Sequence, residues 1–281
     1  MLLDLKDGSL GRTWVKENRK LLVENKVLWE VPSRYPPLTK GQIIVWLISL
    51  GDFLYESKDF EALLSKDETL RASSMPDALE KERFFICRGI VRIILGHYSE
   101  QCKPGELKFA YGPNNKPSLV QDNGRGGKIH FSISHSRGLA LCAISLDHEV
   151  GIDLEFKKDF NEMQRFVFRF FSEKERRKFC SLRDINKKLD FFYEHWTAKE
   201  AYLKTLGQGV GSSLLDQIET RFDNSRHLVG LDQGDGVLFA LYRLRIPSFA
   251  AALVVSESVS SVFCYQWDMR EHQIQARGLR E

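Results

Sequence analysis

Two short stretches of this 281-residue chain hold the residues best suited to chemistry, Val150-Gly-Ile-Asp-Leu-Glu155 and Trp196-Thr-Ala-Lys-Glu-Ala-Tyr-Leu-Lys204. In an extended strand residues i and i+2 face the same side, so Asp153 and Glu155 present two carboxylates to one point. On a helix Glu200 and Lys204, four apart, share a face and put a third carboxylate beside an ammonium group. Oxygen-only sites of this kind suit Mg2+, which keeps positions for water or substrate phosphate. A lysine alongside suits phosphate oxygens, so the set is equipment for phosphoryl-group chemistry. Alternating acids are more often a solvated strand face. Here the intervening Ile152 and Leu154 are apolar, which makes the strand half-buried with its acids on one side.

Other candidates need their neighbours to gain meaning. Phe131-Ser-Ile-Ser-His-Ser136 places His135 at a strand end among three hydroxyls, all able to bind phosphate oxygens although a lone histidine there is more often structural. Lys199 falls on the apolar stripe of its helix, where an ammonium group needs either an anion or an exit to water. Arg71, Arg83, Arg88 and Arg92 could equally be ordinary ion-pair partners of Glu68, Glu80 and Glu82. Asn114-Asn-Lys-Pro117 is a turn by composition, and only context would make Lys116 a ligand.

The elements that must carry these residues can be read from periodicity. Ile43–Leu50 is β-branched and apolar, a buried strand. From Pro76 to about His97, apolar residues fall at helical spacing. Strands are expected at Leu107–Tyr111, Lys128–Ser134, Leu139–Leu146 and Glu149–Phe156. The second half repeats the outline: a helix at about Asn161–Phe171, Ser172 capping the next, and a helix over Asn186–Leu206 with Leu189, Phe192, Trp196, Lys199, Leu203 and Leu206 along one stripe. Strands follow at Gln217–Phe222, Val237–Arg245 and Phe249–Ser256, with a last one possible in composition at Val262–Trp267. The order predicts an α+β protein with mainly antiparallel sheets, in two halves, 41–148 and 149–281, after an extension over 1–40 broken by Pro32, Pro36 and Pro37.

Composition narrows the function classes. At 43% hydrophobic and 28% charged the chain reads as globular and cytosolic, and its net charge of +3 is too weak to argue for nucleic acid as a partner. A metal-dependent nuclease, one rival, would need a strong basic surface. The five cysteines are scattered, without zinc spacing, and read as reduced thiols. No apolar run reaches the length needed to span a bilayer, and the acidic N-terminus lacks the pattern of a signal peptide, so no membrane partner is expected.

Taken in order, Tyr111-Gly-Pro-Asn-Asn-Lys-Pro117, Phe131-Ser-Ile-Ser-His-Ser136, Gly151-Ile-Asp-Leu-Glu155, Arg169-Phe-Phe-Ser-Glu-Lys-Glu175 and Trp196–Lys204 resemble the 4′-phosphopantetheinyl transferases of the surfactin-synthetase-activating type. The likeness covers residues 65 to about 215, and the combination is far more specific than any one motif. It implies a pseudo-dimer of two similar α+β halves with coenzyme A in the cleft between them. It also implies transfer of the phosphopantetheine arm to a serine of an apo acyl or peptidyl carrier protein, with adenosine 3′,5′-bisphosphate released. By that analogy Asp153, Glu155 and Glu200 hold Mg2+, and Glu200 is also a candidate to accept the serine proton, directly or through water. Lys204, His135 and Ser134 contact the pyrophosphate, Arg83 and Arg71 the 3′-phosphate, and Lys116 and Pro117 lie beside the adenine. Arg88 and Lys199 join the coenzyme-binding set, the carrier helix is expected near Arg165–Phe170, and a monomer is expected. A non-catalytic coenzyme A or carrier-binding module of the same fold is the alternative. Ser132 and Asn115 depart from the family's usual asparagine and glycine without removing a charge.

Overall fold

Alternating apolar residues and two long helical stripes produce the same folding pattern twice in the computed structural model. It describes residues 29–99, 103–112, 114–120, 128–209, 215–220, 222, 231–232, 239–256, 259 and 261–271. The first copy runs β1 (Gln42–Ser49), α1 (Ser57–Glu61), α2 (Lys66–Ser73), α3 (Ala78–Tyr98), the hairpin β2 (Phe109–Tyr111) and β3 (Pro117–Leu119), β4 (His130–Ser136) and β5 (Leu139–Ser145). The second runs β6 (Val150–Phe156), α4 (Met163–Phe170), α5 (Glu173–Ser181), α6 (Ile185–Thr205), the pair β7 (Glu219–Thr220) and β8 (Leu231–Asp232), β9 (Ala240–Ile246) and β10 (Phe249–Val255). A final strand, β11 (Ser261–Gln266), follows. The strand orders are β11-β1-β5-β4 and β6-β10-β9, so β1-β5-β4 and β6-β10-β9 are the same unit. Their pairings are antiparallel, whereas β11 lies parallel to β1 on its other edge.

Strand alternation decides the layers. Ile44, Trp46 and Ile48 face α3 in a core with Ile86, Ile90 and Ile94, while Ile43, Val45 and Leu47 face Ile152, Leu154 and Leu253 of the other sheet. The far face of that second sheet, at Ala252 and Val254, receives Ala198, Ala201 and Tyr202 of α6. The result is helix, sheet, sheet, helix, an α+β architecture in which each fully buried Ile or Leu contributes about 1.5–3 kcal/mol. Among the described residues no helix is long and apolar enough to cross a membrane.

The duplication extends to buried charges. Ser65 and Glu68 form a capping box at the start of α2, and Ser172 and Glu175 form another at the start of α5. The same sequence spacing separates Ser65 from Ser172, Glu68 from Glu175, and the first residues of α3 and α6. Glu68 pairs with the buried Arg92 of α3 at 2.7 Å, and Glu175 pairs with the buried Lys199 of α6 at 3.0 Å. Arg92 and Lys199 stand equally far along their helices. Lys199 also donates to the carbonyls of Leu215 and Ile218, and Glu175 accepts from Thr220 and meets His195 Nδ1 at 3.2 Å. Burial pushes the Glu175 carboxyl up, but His195 and the Lys199 charge together hold it below the ordinary range.

Two features set the distance between α6 and β6 and between the sheets. A Cβ at Gly151 would lie 1.9 Å from the carbonyl oxygen of Ala201 and 2.5 Å from the nitrogen of Thr205, so only glycine lets α6 sit this close to β6. On β4, Ser132 and Ser136 accept from the backbone N–H groups of Ile152 and Phe156, both at 3.1 Å. Hydroxyl oxygens thereby do for the outer edge of β6 what a neighbouring strand's carbonyls would do, and this holds the halves together.

Residues 29–40 are not the loose extension that their prolines predict. Trp29 and Tyr35 are buried, Tyr35 stacks on His97 with 4.2 Å between ring centres, and its hydroxyl accepts from Trp267 Nε1 at 3.1 Å. Residues 1–28 lie outside the described residues.

Two substitutions check this account. Gly151→Ala is expected to lower the unfolding free energy by about 3 kcal/mol, since the helix must move off its strand. An unchanged urea midpoint would mean that α6 is not seated on Gly151. Lys199→Met, which strands the Glu175 carboxylate in the interior, is expected to cost about 3–5 kcal/mol in the same assay.

Candidate active site

Asp153, Glu155, Glu200 and Lys204 meet because Gly151 seats α6 on the face of β6 to which residues 151, 153 and 155 point. Asp153 is 4% exposed, and its Oδ1 accepts from Lys204 Nζ at 2.7 Å and from Ser134 Oγ at 2.9 Å. Lys204 Nζ also donates to the Ile152 carbonyl at 3.1 Å. Ser136 Oγ donates to Glu155 Oε2 at 3.2 Å. Two carboxylate oxygens, Asp153 Oδ2 and Glu200 Oε1, are buried with no hydrogen-bond partner.

The electrostatics show unbalanced negative charge. Burial, then repulsion from Asp153, pushes the Glu200 carboxyl up to about 7 against the opposing pull of Lys204. Burial and the Asp153 charge raise Glu155 as well. One lysine cannot offset three carboxylates. Orphaned carboxylate oxygens are what a hard cation binds, so the donor set fits Mg2+. Among the described residues, however, no three acids or histidines are drawn into a preformed cage, because Lys204 holds Asp153.

Cationic groups from the first half face this acid cluster. His135 is open to solvent, and burial of its surroundings together with the charges of Lys204, Arg88 and Arg71 keeps it below its ordinary pKa despite Glu80. Arg88, 8% exposed, stands over Phe84 and has Nη1 without a partner. Arg83 is bound to Glu80 at 2.6 Å, its commonplace helix neighbour, but its Nε is buried and unpartnered. Arg71 is exposed on α2. Lys116 Nζ reaches the Val150 carbonyl at 3.2 Å and Glu149 at 3.4 Å, and Pro117 opens β3 beside it.

The expectation for Lys199 needs correction. It does seek an anion, but that anion is Glu175; the ammonium is 0% exposed and turned away from the cluster, with its three donors committed. Sequence reading counted Ser136 among the hydroxyls around His135 but not as the group that holds Glu155, and it passed over two contributors: Tyr111, which lies within the field of Arg88 and Arg71, and Glu149, which holds Lys116. Ser136 could have been found from the recurrence of serine at every second position of β4. The two departures from the family pattern are also accounted for. Ser132 supplies an acceptor to Ile152, and Asn115 adopts φ +59°, a left-handed conformation that asparagine tolerates better than most residues.

Comparison with known proteins places this geometry. The sequence model of the 4′-phosphopantetheinyl transferase superfamily matches residues 149–253, the segment carrying all three acids and Lys204. The 4′-phosphopantetheinyl transferase HetI of Nostoc sp. is 37% identical over 182 residues, 65% of this chain and 75% of that protein. The 4′-phosphopantetheinyl transferase Sfp of Bacillus subtilis is 29% identical over 171 residues, 56% of this chain and 71% of that protein. Among solved structures, a holo-(acyl-carrier-protein) synthase from Bacillus anthracis in complex with CoA (3′,5′-ADP) shares 29% identity at a TM-score of 0.34, covering 39% of this chain and 96% of that one. At 37% identity over three quarters of the Nostoc protein, and with residues 149–253 matched by the superfamily's model, the chain belongs to the 4′-phosphopantetheinyl transferase superfamily.

Proposed function

We propose that this protein transfers the 4′-phosphopantetheine arm of coenzyme A to a serine of an apo acyl or peptidyl carrier protein. The observation that carries this reading is the pair of unpartnered carboxylate oxygens on Asp153 and Glu200, beside Lys204, with the Arg71 and Arg88 charges acting on the neighbouring His135. Such a cleft suits a polyanion that must be held while one of its phosphate bonds is exchanged.

In the reaction the carrier serine oxygen attacks the phosphorus bearing the pantetheine. A serine O–P bond forms, the P–O bond to the adenylate phosphate breaks, and adenosine 3′,5′-bisphosphate leaves. The serine proton goes to Glu200, whose Oε1 is buried without a partner and can accept it. Lys204, fixed by Asp153 and the Ile152 carbonyl, neutralises charge gathering on the phosphoryl oxygens, and Ser134 and His135 add donors. Arg71, Arg83 and Arg88 receive the 3′-phosphate, with Lys116 and Pro117 on the nucleotide side. Mg2+, when bound, is held by Asp153, Glu155 and Glu200 and supplies further charge neutralisation at the pyrophosphate. Carrier recognition falls to α4, where Phe168 is 50% exposed next to the exposed Arg165 and Arg169. The chain acts as a monomer, a reading supported by β11 covering the edge of β1.

Intact-mass analysis of a purified apo carrier incubated with the protein, coenzyme A and Mg2+ tests the activity. A chelator-sensitive gain of one phosphopantetheine is expected, and Asp153→Ala should abolish it while leaving the unfolding midpoint within a few degrees. No gain on fatty-acid, polyketide or peptide carriers from folded protein would sink the reading. A second test uses the sign of the Glu200 shift. Cation binding requires the ionised carboxylate, so Mg2+ affinity measured by calorimetry should rise with pH up to about 7 and then level off. In Glu200→Gln that rise should vanish.

A further inference from the structure

Lys204 is not the only lysine fastened along the outer edge of β6. Its ammonium group is held by the Ile152 carbonyl and by Asp153, whereas that of Lys116 is held by the Val150 carbonyl and by Glu149. The two carbonyls belong to alternate residues of one strand, so they face the same edge roughly 7 Å apart. Each lysine therefore has the same pair of anchors, one backbone oxygen of β6 and one carboxylate. Lys116 comes from the first half, on the β2–β3 turn, and Glu149 from the second, just ahead of β6.

Glu149 is itself braced. Its Oε1 lies 2.9 Å from His130 Nδ1 of β4 and 3.8 Å from Lys128 Nζ, so the carboxylate bridges a first-half strand and a first-half turn. The turn is fastened at a second point, where Asn114 Nδ2 donates to the Gly207 carbonyl at 3.1 Å just beyond α6. Within the turn, Gly112 N–H donates to the Lys116 carbonyl and Asn115 N–H to that of Gly112. A short turn with both ends of its reach fixed on the opposite half leaves Lys116 little freedom except through Glu149.

We propose that Glu149 is a positioning residue that aims Lys116, extending the row of ammonium groups along β6 from the reacting pyrophosphate toward the phosphate-bearing nucleotide end of coenzyme A. The inference rests on the transferase reading above. Charge decides the expected effect. Without the carboxylate, Lys116, 19% exposed, keeps one backbone acceptor but loses the contact that selects its rotamer, so it meets the ligand less often. The reacting atoms are untouched, so coenzyme binding suffers and turnover does not.

The test is a double-mutant cycle on transfer to an apo carrier with coenzyme A varied. Glu149→Gln and Lys116→Ala should each raise KM for coenzyme A about tenfold, the size of one charge-assisted contact, with kcat within about twofold. The double variant should be no worse than Lys116→Ala alone, because Glu149 acts only through that lysine. Glu149→Asp, which restores the charge, should recover part of the loss. Multiplying effects in the double variant, or an unchanged KM in Glu149→Gln, would overturn the proposal, as would a lowered unfolding midpoint accompanied by equal losses in kcat and KM. Wild-type protein is the control that separates the two readings: if it transfers nothing, the transferase reading fails, and the same cycle read by calorimetric coenzyme A binding still decides the role of Glu149.

Discussion

The outer edge of β6 is the constraint on which the rest depends. An edge strand inside a protein leaves a row of N–H and C=O groups that must find partners, and here the partners are side chains rather than another strand's backbone. Ser132 and Ser136 take the donors, and Lys116 and Lys204 take the acceptors. Because those side chains belong to β4, to the β2–β3 turn and to α6, satisfying one strand fixes three elements around it. The sheets are thereby set against each other with a cleft at the seam, and the strand that needed partners is also the one carrying Asp153 and Glu155.

Magnitudes explain why the charge at this seam stays unbalanced rather than closing on itself. Holding Glu200 near 7 corresponds to about 3 kcal/mol acting against its charged form. Lys204 is already committed to Asp153 and the Ile152 carbonyl, so it cannot quiet the cluster alone. The buried pairs elsewhere behave differently. Glu68 faces Arg92 at 2.7 Å and Arg88 at 4.0 Å, and Glu175 faces Lys199 at 3.0 Å and accepts from Thr220, so each of these acids has cationic charge beside it inside the fold. Balanced charge sits under the helices and unbalanced charge sits at the cleft, which separates scaffold from site.

Much of this was legible in the chain because it is local. Period-two strands, the Ser172 cap and the stripe of α6 came out within a residue or two of their observed ends, and the acids on β6 were correctly assigned to one face. What sequence reading missed is long-range. Lys199 was recognised as a buried cation in need of an anion, but no periodicity tells that the anion is the capping-box carboxylate of the preceding helix. The final strand was legible as a strand, yet nothing near Ser261–Gln266 says that it returns to β1, more than two hundred residues back. Helices α1 and α2 are short and polar, and a weak stripe hides them even though Ser65 and Glu68 spell out a cap. The strands expected at Gln217–Phe222 and Val237–Arg245 are seen in part, since Arg221, Val237 and Leu238 lie outside the described residues.

The repeat has an asymmetry with its own consequence. By the register of the two sheets and helices, Asp153, Glu155, Glu200 and Lys204 correspond to Trp46, Ile48, Ile93 and His97. In the first half three of those places, Trp46, Ile48 and Ile93, are core, and Tyr35 is laid over the fourth, His97. The contact between halves is also directional, first-half β4 against second-half β6, so a chain of such units would always end with an unmatched β1. Here β11 takes that edge, and residues 29–40 and Trp267 seal the adjoining surface. The duplication has therefore placed the acid cluster on one half and its foundation on the other, and β11 closes the β1 edge on which another unit of this kind would have to dock.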